Sequence, residues 1–381
     1  MRRFGRAALG GMVAFGLLAA VPAAVFAAQP SCGDTLTSNT TLTADLDCSA
    51  YAGTALTMGH NNVVLNLNGH TIWGFTGDDT YTGVDLDGYN RTVVKNGTIA
   101  NFQDGVYAYS SNESLVKNLE VYGEPADSSS EGIYFYYGVG NTASNVKVHD
   151  TYYGLDTEYA AETELLNSTV WNTEYGVYVY YDSHDRFQGN TVKTNDYGFI
   201  DYYGGGNRYL SNKAKDNSSE GFYLYCDEEG RVVLKNNTAD NNGSEGFYTY
   251  YCYDNASWAP GTGSTFSGNV STNNGSYGFF DEYSINSTWT SNTSKNNDSE
   301  GFYIEYPSGY TMTYNVAKGN GGDGFYFYDN YSSGYYNAYK FSSNKANNND
   351  SWGFDADYGV PGKGNTATGN GSGNCYNVRC N

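Results

Sequence analysis

A glycine followed by a bulky apolar residue recurs along this chain at a nearly constant interval, and no other feature restricts the fold as much. Gly83, Gly105, Gly132, Gly154, Gly176, Gly198, Gly221, Gly246, Gly278, Gly301, Gly324 and Gly353 each precede Val, Ile, Leu or Phe. The steps between them are 22, 27, 22, 22, 22, 23, 25, 32, 23, 23 and 29 residues. A second anchor keeps the same beat. Asn96, Asn145, Asn167, Asn212, Asn237, Asn269, Asn292, Asn315 and Asn344 lie nine residues ahead of the next such glycine, Asn190 eight and Asn118 fourteen. Self-similarity at such a period is the signature of a stacked-repeat architecture, in which each unit buries its apolar face only against its neighbours.

Within one unit, for example STFSGNVSTNNGSYGFFDEY, a short alternating strand precedes the Asn and a second follows it. A polar turn leads to a third strand at the Gly. Three strands per 22–23-residue coil, the Asn anchor and the glycine-led strand together resemble the right-handed parallel β-helix superfamily, of pectate-lyase-like architecture. LNLNGHTIWG at 65–74 is similar to its first coil. The resemblance covers residues 55–370 and implies an all-β, single-stranded right-handed parallel β-helix of about twelve coils. At strand spacing that is a rod of roughly 60 Å. The Asn column has a structural role in this frame, since Asn tolerates left-handed backbone and stacked amides hydrogen-bond from coil to coil. The Gly column reads as a turn residue entering a strand.

Composition then says what the outside looks like. The chain holds 40 Tyr in 381 residues and 41 acids against 20 Lys and Arg, a formal charge of −21. That balance argues against nucleic-acid binding through a basic face, and the aromatic content argues against acidic disorder. Strand alternation sends the residues at Gly+1 and Gly+3 inward and those at Gly+2 and Gly+4 outward. The outward columns hold Tyr134, Tyr136, Tyr178, Tyr180, Tyr202, Tyr223, Tyr225, Tyr248 and Tyr250, with further Tyr at Gly+5, so one face is a tyrosine wall interrupted by acids. Amphipathic rings beside carboxylates suit sugars, whose apolar faces stack on aromatics while their hydroxyls reach acids. A polysaccharide or cell-surface glycan is the expected partner. Stacking for rigidity alone is the competing account of the same rings.

Two local patterns carry possible chemistry. After Tyr180 the chain reads Tyr181-Asp182-Ser183-His184-Asp185-Arg186, which resembles the Asp-Pro-His-Asp-Arg segment of the mannuronan (alginate) epimerases, with Ser183 in place of the Pro. The resemblance implies catalytic roles for Asp182, His184 and Asp185, with His184 as base or charge neutraliser. In this reading Arg186 neutralises a uronate carboxylate and a phenol such as Tyr180 transfers the proton. The net charge opposes an anionic polymer. Asp156 and Glu158 form an acidic pair amid tyrosine coils, at a spacing suited to a hydrolase pair or a Ca²⁺ site. Asp85/Asp87 and Asp355/Asp357 repeat the spacing at the two ends of the wall.

The ends complete the organisation. Residues 1–27 read as a cleaved secretory signal, with Arg2, Arg3 and Arg6 ahead of an apolar run. Residues 28–54 form an N-terminal cap and residues 371–381 a C-terminal tail. No other segment is apolar enough to span a membrane. Six Cys in an exported chain form disulfides. Cys32–Cys48 closes the cap and Cys375–Cys380 the tail, while Cys226 and Cys252 sit at nearly equivalent positions on consecutive coils. The expected location is secreted or at the cell surface. Two functions stay open: a polysaccharide lyase, epimerase or glycoside hydrolase, or a non-catalytic extracellular binding or structural protein.

Overall fold

The computed structural model describes residues 29–75, 81–123, 129–226, 230–252, 263–329 and 340–381. The signal segment and most of the turns that follow Cys226 and Cys252 lie outside these residues. The described chain is an all-β parallel solenoid of about 13 turns without a helix, close to the coil number expected. A representative coil runs through Thr142–Ser144, Lys147–His149 and Tyr153–Glu158. Each strand pairs in parallel with its equivalent one coil away, so like residues lie over like: Leu155 pairs with Val177, and Asp156 with Tyr178. The twelve glycine-led strands belong to one sheet of fifteen, completed by Asp34–Leu36, Leu56–Met58 and Gly373–Cys375. In two early coils the other two strands are continuous, Val93–Ala100 and Leu115–Tyr122, turning the corner at left-handed Asn96 and Asn118.

The repeat glycines have another cause than a turn. None of them has positive φ. A Cβ at Gly301 would instead lie 2.6 Å from the Gly324 carbonyl oxygen and 2.9 Å from Ala317 Cβ. Close approach between coils, not left-handed backbone, excludes a side chain there.

Core volume is conserved by exchange between strands. In the early coils the Gly+1 position holds Val106, Ile133, Leu155 and Val177, facing Val121, Val148, Val170 and Val192. From Phe199 onward that position is Phe, and the facing residues shrink to Ala214, Ala239, Ser271, Ser294, Ala317 and Ala346. The resulting file Phe199, Phe222, Phe247, Phe279, Phe302 and Phe325 stacks at 4.6–4.8 Å with interplanar angles of 8° or less. Each such pair contributes about 0.5–1.5 kcal/mol beyond area burial.

The single Asn column expected from the sequence is in fact two. Asn96, Asn118, Asn145 and Asn167 occupy a left-handed corner, and the first three hand amide hydrogens outward from coil to coil. Gly189 takes the place of Asn167 in the next coil, and Asn190 takes that of Ser168, one residue further on and inside the coil. From there Asn190, Asn212, Asn237, Asn269, Asn292, Asn315, Asn344 and Asn365 form a buried amide ladder. A second buried ladder lines the next corner through Asn217, Asn242, Asn274, Asn297, Asn320, Asn349 and Asn370.

All six cysteines are paired: Cys32–Cys48, Cys226–Cys252 and Cys375–Cys380. The middle bridge, with Cα atoms 4.9 Å apart, sits at the corner where the Gly+5 tyrosines are interrupted.

Candidate functional site

The tyrosine wall is built by strand alternation. Val177 and Val179 point into the core, and Tyr178 and Tyr180 between and after them point out. The wall then divides into regions of different ring geometry. At the Gly+5 corner, Tyr137, Tyr159, Tyr181 and Tyr203 all adopt left-handed backbone, and their rings stack at 4.6–5.6 Å within 20° of parallel. Tyr251, Tyr283 and Tyr306 repeat this beyond the disulfide. Rings stacked in this way cover one another's faces and offer solvent their edges and hydroxyls. Along the middle of the wall the rings are turned. Tyr178 meets Tyr202 at 63°, Tyr202 meets Tyr223 at 60°, Tyr223 meets Tyr248 at 79° and Tyr225 meets Tyr250 at 46°. Near its start, Tyr134 and Tyr136 cross Tyr107 and Tyr109 at 37° and 49°.

Of the three acidic pairs of equal spacing, the structure singles out one. Asp156 lies on the outward face of the sheet, in register between Tyr134 and Tyr178, yet is only 2% exposed. Asp85 and Asp355 at the equivalent positions are partly open, and Asp87 and Asp357 are exposed. Glu158, in register between Tyr136 and Tyr180, accepts a hydrogen bond from the Tyr134 hydroxyl at 3.2 Å. Glu131 joins them from the position before Gly132, pairing in register with Tyr153. Asp156 Oδ1 and Glu131 Oε2 are buried without a hydrogen-bond partner. Burial, reinforced by Glu158, drives the Asp156 carboxyl far above the usual carboxylate range. Burial, with Asp156 as the next cause, pushes Glu131 up to about 10. Glu158 is also raised by burial, while the Tyr134 hydrogen bond works in the opposite direction. Buried carboxyls with perturbed protonation set in a surface single this cluster out as a candidate site.

The residues of the Asp-Ser-His-Asp-Arg segment are not brought together. Left-handed Tyr181 and His184 bracket a corner, so the alternation of a strand does not run through it. Asp182 and Asp185 consequently fold inward, at 1% and 0% exposure. Asp182 accepts the Ala160 N–H at 2.6 Å and the Thr157 hydroxyl, and Asp185 accepts the Thr163 N–H at 2.8 Å. Asp185 thereby fills the corner position that Asn141 and Asn207 fill in other coils. Asp201 lies in the same interior, accepting from Asn207 at 2.9 Å and Tyr209 at 2.8 Å. Burial raises Asp182 to about 7 and Asp201 to about 6. His184 and Arg186 face outward into a cavity of about 580 Å³, shared with Glu162, Glu164 and Arg208. Arg186 pairs with Glu164 at 3.3 Å. Tyr180 does not line that cavity. Its ring packs on Tyr159, Tyr181 and Tyr203 on the wall around the corner. Among the described residues no group of three or more His, Cys, Asp or Glu is arranged to hold a metal ion, Asp156 and Glu158 included.

Two features escaped the sequence reading. Glu131 stands in the Gly−1 column, whose next members Tyr153, Tyr175 and Tyr197 stack at 5.1–5.2 Å, and that column was the available signal. A second, shorter aromatic strip runs along another face through Trp73, Tyr122, His149 and Trp171. His149 stacks between Tyr122 at 5.1 Å and Trp171 at 4.2 Å.

With this geometry in hand, comparison with known proteins decides the family. The model of the right-handed β-helix region matches residues 51–192, 82–256 and 252–375. The chain belongs to the right-handed β-helix family. Solved structures of similar fold include the A-module of Azotobacter vinelandii mannuronan C-5 epimerase AlgE4, at 14% identity and TM-score 0.50, covering 88% of this chain and 89% of that one. The A-module of AlgE6 from the same organism matches at 17% identity and TM-score 0.50, covering 91% and 90%. A T265N mutant of the periplasmic alginate epimerase AlgG matches at 10% identity and TM-score 0.51, covering 91% and 85%. At these identities the likeness is one of fold. No curated protein matches the chain by sequence. Among the described residues of this β-helix no helix is long and apolar enough to cross a membrane.

Proposed function

We propose that this β-helix is an extracytoplasmic protein that binds a polysaccharide along its tyrosine face. The observation that carries the reading is the turned file Tyr178, Tyr202, Tyr223 and Tyr248. Its half-buried rings meet edge to face at 60–79° instead of stacking in parallel, until Tyr248 stacks on Phe280 at 4.7 Å, so the rings present differently turned surfaces against which sugar rings can pack. A file spaced by the coil repeat suits an extended polymer. Three disulfides support an oxidising compartment, and the epimerases of similar fold act on a polysaccharide by name. The charge of −21 favours an uncharged polymer over a polyanion.

The test is affinity electrophoresis against soluble glucans, mannan and xylan, with a polyuronate as the anionic control. Tyr223→Ala/Tyr248→Ala is expected to lower affinity for the bound glycan at least tenfold. Unchanged affinity in that variant removes the reading.

A second reading, epimerase- or lyase-like chemistry at His184, is favoured by one observation: His184 lines the same cavity as Arg186 and Arg208, two guanidinium groups that a uronate carboxylate could meet, alongside Glu162 and Glu164. The inward turn of Asp182 and Asp185 and the distant placement of Tyr180 oppose it. Unsaturated or epimerised uronate products, abolished in His184→Ala, would restore it.

A further inference from the structure

We propose that Asp156 and Glu158 form an acid–base pair that hydrolyses an uncharged polysaccharide lying on the tyrosine face. The proposal rests on the glycan-binding reading above and adds a reaction and a substrate class to it.

The argument begins with what the wall would look like without these residues. The two outward columns run through Tyr107, Tyr134, Tyr178 and Tyr109, Tyr136, Tyr180 on the neighbouring coils. The coil at Asp156 and Glu158 replaces both rings with acids, and Glu131 adds a third carboxyl from the coil before. If the wall served rigidity alone, this is the worst place for them. Each buried carboxyl without a partner costs folding free energy, and Tyr at both positions would continue the stack. Solubility does not explain them either, because Asp156 is only 2% exposed. Nor do they neutralise a cation of the protein: none of the salt bridges among the described residues involves Glu131, Asp156 or Glu158.

The three are not equivalent. Asp156 is the most buried, and its Oδ1 is unpartnered. Glu158 is half-open and held by a phenolic hydrogen bond that favours its ionised form. Neighbouring carboxyls whose surroundings separate their proton affinities divide into an acid and a base. Asp156, kept protonated, is the acid. Glu158 is the base, and Tyr134 is a positioning residue that orients it. After burial, the Glu158 carboxylate beside it is the charge that helps Asp156 keep its proton.

The step balances with water as the only co-reactant. The bond between the anomeric carbon and the glycosidic oxygen breaks as Asp156 gives its proton to the departing oxygen. The oxygen of a water bonds to the anomeric carbon, and a proton of that water passes to Glu158. The products are a new reducing end and a new free hydroxyl on the other fragment. Exchange with solvent returns the proton from Glu158 to Asp156. Access to Asp156 is expected from a rotamer change of the half-buried Tyr178 ring in register beside it, which leaves the Tyr134–Glu158 hydrogen bond in place.

The experiment measures binding and new reducing ends on the same soluble glucans, mannan and xylan, for the wild-type chain, Asp156→Asn and Glu158→Gln. Thermal melting establishes that each variant is folded. The expected result is cleavage of a glycan that the protein binds, a fall of at least a hundredfold in rate in each variant, and affinity unchanged within about twofold, as expected of an acid–base role with little share in binding. Tyr134→Phe is expected to shift the basic group's limb of the pH–rate profile upward, which loss of packing alone would not do. Binding without new reducing ends, or cleavage at the wild-type rate in Asp156→Asn and Glu158→Gln, overturns the hydrolase proposal and leaves the binding reading standing. Absence of binding to every glycan overturns both. Unsaturated products in place of reducing ends also overturn hydrolysis.

Discussion

Asn237 donates both its backbone N–H and its side-chain amide to Asn269 Oδ1 in the next coil, at 2.9 and 3.1 Å. The Asn269 amide in turn donates back to the Leu234 carbonyl at 2.8 Å, so one side chain satisfies buried groups on both sides of the corner. Asn269→Ala would orphan the Asn237 N–H and one hydrogen of the Asn237 side-chain amide. Each buried orphan costs about 1–3 kcal/mol, so a loss of roughly 2–5 kcal/mol is expected. Asn145→Ala, in the partly exposed early column, is expected to cost about 1–2 kcal/mol, because water replaces the lost partner and what remains is the poorer fit of Ala to the left-handed backbone. Urea unfolding midpoints of the two variants check the contrast.

The repeat glycines predict a similar contrast. Gly301→Ala brings a methyl within 2.6 Å of the Gly324 carbonyl oxygen, a backbone atom that cannot swing aside. Overpacking of this kind costs about 1–3 kcal/mol or more. Gly205→Ala meets nothing within 4 Å, and its backbone is not left-handed. It should melt within a degree or two of the wild type. Equal losses in both variants would mean that the repeat glycines serve backbone conformation, not coil spacing.

What could be read in the sequence was whatever depends on strand alternation and period. The inward Val177 and Val179, the outward Tyr178 and Tyr180, and the adjacency of Cys226 and Cys252 all follow from a 22–23-residue coil. What could not be read was decided at corners. The substitution of Gly189 for Asn167 moves the stacked amide one residue along, to Asn190. A later one-residue lengthening, between Asn217 and Gly221, restores the nine-residue offset and disguises the change. The left-handed residues Tyr181 and His184 turned Asp182 and Asp185 inside, which no alternation rule anticipates. Asp156 stood out only once burial was known, because its sequence spacing to Glu158 recurs at Asp85/Asp87 and Asp355/Asp357.

The Cys226–Cys252 bridge closes a loop of 26 residues at the corner where Cys226 takes the place of a Gly+5 tyrosine. A loop of that length implies about 3.5 kcal/mol of stabilisation from the unfolded state. Cys226→Ser/Cys252→Ser is expected to lose that amount in urea unfolding while keeping the far-ultraviolet spectrum of a β-helix. In a stacked-repeat rod, coils couple only to their neighbours. The same variant should therefore be cut by protease first near residues 226–252. Cleavage beginning at either end of the rod instead would show that the bridge does not control the middle coils.

The interior carboxyls make stability depend on pH in a defined direction. Burial lifts Asp182 to about 7 and Asp201 to about 6, and drives Asp185 well above the usual range. The groups facing them inside the coil are one another, the Tyr209 hydroxyl, Asn207, Thr157 and Thr163. No cation is among them. The unfolded carboxyl titrates near about 3.9. A raised folded value therefore contributes stability that is complete below that pH and is lost as the pH climbs through about 6 and then about 7. The melting temperature is expected to fall between pH 5 and pH 8. Asp182→Asn keeps this position neutral at every pH, and its amide can donate to Thr157 Oγ1 while its oxygen accepts the Ala160 N–H. The variant is expected to melt higher than the wild type at pH 8, nearly level with it at pH 5, and with a shallower slope between. A slope unchanged by Asp182→Asn would place the pH dependence elsewhere, in the general repulsion of a chain carrying −21.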